Sequence, residues 1–89
     1  PRYKDFPLLS LGFEVARMGG AYPIAFNASN EVAVANFMEE KIGFLDIAHI
    51  VSSVLQKDWQ CDKIDSIEIV YDMDRKARKI ATETIKLID

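Results

Sequence analysis

The helix expected from about Pro23 to Lys41 constrains this chain most. Read at 100° per residue, Ile24, Ala28, Ala35 and Ile42 form one apolar stripe, and Phe26, Ala33 and Phe37 form another. A helix that is apolar on nearly every side is stable only when other elements surround it. The expected wet strip is narrow: Ser29, Asn36, Glu39 and Glu40. The chain has 89 residues, so this central helix must be wrapped by the short segments on either side of it, within one domain.

Those segments have helical spacing too. Pro7 to Met18 starts with a proline suited to a first helical turn. It places Leu8, Leu11, Val15 and Met18 on one face, with Ser10, Glu14 and Arg17 opposite, and Gly19-Gly20 follow as a left-handed stop. Gly12, inside that helix, fits either close packing or simple tolerance. A third helix is expected from Asp46, as N-cap, to Lys57. Ile47, Ile50, Val51, Val54 and Leu55 face inward, and His49, Ser52, Ser53 and Gln56 face outward. Gly43 is the expected stop between the second and third helices. Residues 58–66 read as polar loop, and Ser66 to Tyr71 as a short extended stretch because apolar and polar residues alternate there. A last helix is expected from Asp72 to Leu87, capped by Asp72 or Asp74. Met73, Ala77, Ile80, Ala81, Thr84 and Leu87 turn inward, and Asp72–Lys76 and Asp74–Arg78 pair along its surface. The fold class is therefore all-α: a small bundle of about four helices with a short extended segment before the last.

Composition excludes several functions. The net charge of −3 offers no basic footprint for nucleic acid. Apolar runs are far shorter than the roughly 18 residues a membrane helix needs. One cysteine, Cys61, and one histidine, His49, cannot make an internal disulfide or an ordinary Cys/His zinc site. Cys61 has no neighbour in sequence that would lower its pKa, and His49 lies on the outward face of its helix without a positioned partner. The pairs Glu39-Glu40 and Asp72/Asp74 read as solvated or capping carboxylates. The basic run Arg75-Lys76-Ala77-Arg78-Lys79 reads as a solvated helix face. The sequence assigns no catalytic, cofactor-binding or metal-binding residue. The chain begins at Pro1 rather than methionine, as expected of one processed or cut from a longer polypeptide.

One polar group stands out. Asn27, Asn30 and Glu31 fall at i, i+3 and i+4 of the central helix, on one face. Polar groups amid so much apolar surface need partners. Three readings are open: a hydrogen-bonded network that sets helix register, a contact with a partner domain, or a direct catalytic role.

The same stretch carries a resemblance. Asn27-Ala28-Ser29-Asn30-Glu31-Val32-Ala33-Val34 resembles the Asn-Ala-Ala-Asn-Glu-Val-Ala-Val segment of the 1-deoxy-D-xylulose 5-phosphate reductoisomerase family. Phe6-Pro7-Leu8-Leu9-Ser10-Leu11 is similar to that family's Phe-Pro-Cys-Leu-Lys-Leu, and Ile42-Gly43-Phe44-Leu45-Asp46-Ile47 to its Ile-x-Phe-x-Asp-Ile. Asp72 to Arg78 resembles the Asp-x-x-Ala-Arg start of its last helix, with one extra residue before the alanine. Ser29 stands where the family commonly has Ala, a small change on an expected wet strip, and Leu9 replaces a common Cys. The resemblance implies that residues 1–89 are a single C-terminal helical domain, with the NADPH-binding and catalytic domains outside this chain. It implies a whole enzyme that converts 1-deoxy-D-xylulose 5-phosphate to 2-C-methyl-D-erythritol 4-phosphate with NADPH and a divalent cation, Mg or Mn, in isoprenoid synthesis. The implied partners are the catalytic domain of the same polypeptide and a second copy in a homodimer, with no nucleic acid and no membrane. The implied location is the cytoplasm, or a plastid-type organelle in a eukaryote. The isolated segment is expected to be inactive, with Asn27, Asn30 and Glu31 as inter-domain or network residues. A free-standing helical interaction module without catalysis is the alternative.

Overall fold

A computed structural model describes residues 7–61 and 63–88, with the side chains of residues 7–9 outside that description. Four helices follow in order: α1 (Pro7–Met18), α2 (Tyr22–Met38), α3 (Phe44–Leu55) and α4 (Ile67–Lys86). The described residues contain no strand. α2 packs against all three other helices, most extensively against α4 and then α3, so it is the central helix expected from its apolar circumference.

The packing of α2 on α4 rests on small residues. The buried positions of α4 are Ala77 and Ala81, and those of α2 are Tyr22, Ala25, Ala28, Ser29 and Ala33. Alanine lets two helix backbones approach closely, which sets the distance between helices. α3 supplies the bulk, with Ile47, Ile50, Val51 and Val54 buried, and α1 contributes Val15 among its described side chains. A Cβ on Gly12 would meet the Phe26 ring of α2 at 3.6 Å, an ordinary packing contact, so Gly12 faces α2 without strict need of a glycine.

Several expectations are corrected. Ser66 to Tyr71 is not an extended stretch: α4 begins at Ile67. Ser66 is its N-cap, and its hydroxyl accepts the Ile69 N–H at 3.2 Å. A stretch of six residues fits either period. Half-buried Ile69 and Val70 continue at helical spacing into Met73 and Ala77, and the serine cap decides for the helix. Asp72 and Asp74 are therefore interior to α4 rather than caps. Asp72 lies 3.5 Å from Arg75, and Asp74 pairs with Arg78 as expected. Gly43 is not the stop of α2. The left-handed residue there is Glu40 (φ 61°), while Gly43 is the N-cap of α3. Asp46 is the third residue of α3, and its carboxylate accepts the Gly43 N–H at 2.8 Å.

Other faces differ in detail. Ser29 is fully buried, not on a wet strip, because its hydroxyl donates back into its own helix, to the Ala25 carbonyl at 2.7 Å. Ala35, placed on an apolar stripe, is exposed. Met18 is half exposed at the end of α1, and Leu8 lies among the residues whose side chains are outside the description. Leu87 points out, and Ile85 and Ile88 pack on the core in its place.

The segment after α3 is anchored by Trp59, only 1% exposed. Its indole N–H donates to the Val54 carbonyl in the last turn of α3 at 2.8 Å, and its own carbonyl accepts the Ala21 N–H before α2 at 3.0 Å. The Lys76 ammonium of α4 sits 4.7 Å from the centre of the ring. One residue thus joins α3 and α4 through its indole and the start of α2 through its backbone carbonyl. Gly19 (φ 69°) and Gly20 (φ 58°) form the expected left-handed stop after α1. Gly20 is needed twice over, because a Cβ there would lie 3.2 Å from the Trp59 carbonyl oxygen.

Candidate functional site

The polar face of α2 meets α4 in a short chain of contacts. The Asn27 side-chain amide donates to one Glu31 carboxylate oxygen at 3.2 Å. The other Glu31 oxygen accepts from the Arg78 guanidinium at 3.2 Å, and Arg78 Nε donates to Asp74 at 2.6 Å. The helical spacing explains the assembly: Asn27–Glu31 and Asp74–Arg78 are both i,i+4 pairs, and close packing of α2 on α4 brings the two pairs together. The Arg78 side chain is 40% exposed and that of Glu31 57%. Ion pairs this wet contribute about 0–1 kcal/mol each, so the cluster sets geometry more than it stabilises.

The hydrogen bond it donates to Asp74, then that to Glu31, holds the Arg78 guanidinium above its ordinary, already strongly basic pKa. A raised pKa stabilises the fold at every pH below the unfolded value. That contribution is lost only as pH climbs through the folded value, far into the alkaline range. Arg78 is therefore cationic at all pH values where the bundle works.

Asn30 shares the face but not the cluster. Its Oδ1 is buried and has no hydrogen-bond partner among the described residues. A buried amide oxygen without a donor costs about 1–3 kcal/mol. The structure therefore joins Asn27 and Glu31 to each other and to α4, and leaves Asn30 apart.

The remaining candidates are absorbed locally. His49 is exposed, and Cys61 is half-buried with its thiol 3.4 Å from the Lys63 carbonyl. Arg75 and Arg78 pair with acidic neighbours, and Lys76 covers Trp59, so most of the basic run is engaged. No group of three or more His, Cys, Asp or Glu that could hold a metal ion occurs among the described residues. Sequence reasoning missed Arg78 as the residue that reaches across to α2. The i,i+4 match with Asp74 marked half of its role, and no local pattern marks the contact with Glu31, 47 positions away.

Comparison with known proteins completes the picture. A family model described as the DXP reductoisomerase C-terminal domain matches residues 1–80. This chain belongs to that family. Among its relatives, the 1-deoxy-D-xylulose 5-phosphate reductoisomerase of Treponema denticola is 55% identical over 85 residues, which cover 96% of this chain and 22% of the relative. That of Treponema pallidum is 52% identical over the same shares. A solved structure, the Zymomonas mobilis reductoisomerase in complex with NADPH, superposes with a TM-score of 0.85 at 42% identity, again over 96% of this chain and 22% of that one. The chain thus spans about a fifth of the length of these reductoisomerases.

Proposed function

We propose that this chain is the C-terminal supporting domain of a 1-deoxy-D-xylulose 5-phosphate reductoisomerase. The whole enzyme would convert 1-deoxy-D-xylulose 5-phosphate to 2-C-methyl-D-erythritol 4-phosphate with NADPH. The observation that carries the reading is the match of 96% of the chain, in sequence and in fold, to one part of such enzymes. NADPH follows from the complex of the Zymomonas mobilis relative. A divalent cation, Mg or Mn, would act as a Lewis acid on substrate oxygens. The described residues do not fit that ion, because no group of three or more potential ligands converges among them. No chemical step is therefore assigned to this segment, and its part is to brace the domain that carries the active site.

The same reading makes the catalytic domain of the same polypeptide its partner, within a homodimer. The net charge of −3 speaks against nucleic acid as a partner. No helix among the described residues is long and apolar enough to cross a membrane. The location would be the cytoplasm, or a plastid-type organelle in a eukaryote. Asn27 and Glu31 are network residues in this account, supported by their link to Arg78. Asn30, half-buried on the same face, is the candidate for inter-domain contact through the part of its side chain other than the buried Oδ1.

The test is NADPH oxidation by the full-length polypeptide and by residues 1–89 alone, with substrate and Mg²⁺ or Mn²⁺. Turnover by the full chain and none by the segment is expected; turnover by the segment, or none by the full chain, overturns the reading. In the full-length enzyme, Asn30→Leu should lower activity more than Gln56→Ala at an exposed position. Equal activity of the two variants removes Asn30 from the account.

A further inference from the structure

We draw no further inference here: the strongest candidate, the surface corner between α2 and α3 where Met38, Phe44 and Leu45 are exposed, carries nothing because nothing in the structure shows what covers it.

Discussion

Replacing Trp59 tests how the bundle is closed. Its indole is 1% exposed, donates to the Val54 carbonyl at 2.8 Å and lies under the Lys76 ammonium at 4.7 Å. Trp59→Ala removes the indole but keeps the backbone bond from the Ala21 N–H. The lost burial and the resulting cavity should cost about 3–5 kcal/mol. Trp59→Phe keeps most of the apolar surface but fills less space and loses the indole donor; the Val54 carbonyl keeps the Lys57 N–H, so one hydrogen bond and some packing are lost, for about 1–2 kcal/mol. A chain of this length has a stability of roughly 4–13 kcal/mol, so the alanine variant loses a large fraction of it. Urea unfolding followed by far-ultraviolet circular dichroism reads both values, provided the slope against urea is unchanged. In thermal melts the phenylalanine variant should fall by about 5–15 °C. An alanine variant within 1 kcal/mol of the parent would refute the view that this residue ties α2, α3 and α4 together.

Three further outcomes are expected, all read from urea unfolding. Gly20→Ala should cost about 2 kcal/mol and more than Gly19→Ala, because both have positive φ but only Gly20 abuts the Trp59 carbonyl; equal costs would show that backbone strain alone matters. Ser29→Ala should be neutral or stabilise by up to about 0.5 kcal/mol, since the buried hydroxyl bonds only to its own helix and alanine is the better helix former, whereas Ser29→Leu should overpack the site and cost about 1–3 kcal/mol. A double-mutant cycle of Glu31→Ala and Arg78→Ala should give a coupling of about 0.5 kcal/mol that shrinks at 1 M salt; a coupling above 2 kcal/mol would mean that the pair is far less hydrated than its exposure indicates.

The four helices and the central place of α2 are legible in the sequence because of their apolar spacing, with Pro7, Gly19-Gly20, Pro23 and Gly43 in agreement near ends of the first three. The boundaries that fail do so for identifiable reasons. Ser66 to Tyr71 is too short to separate a period of two from one of 3.6, and its cap decides the matter. Glu40 takes the left-handed turn expected of Gly43, while Gly43 is held by the Asp46 carboxylate at the start of α3. Ser29 reads as a surface residue by type but is small enough to be buried among alanines. Trp59 lies in a polar run with no periodicity, so nothing in its neighbours shows that it is the largest fully buried side chain. At the candidate site, the pairs within each helix follow from i,i+4 spacing. The bond from Arg78 to Glu31 depends on how α2 and α4 are set against each other, which is a tertiary fact.

The central claim is that this bundle supports an active site it does not contain. Deleting residues 1–89 from the full-length polypeptide tests it most directly, with NADPH oxidation measured on 1-deoxy-D-xylulose 5-phosphate and divalent cation before and after. The account predicts that the intact enzyme turns over and that the truncated one loses at least about a hundredfold in rate, the scale on which slight misplacement of reacting groups acts. A truncated enzyme as active as the intact one would contradict it.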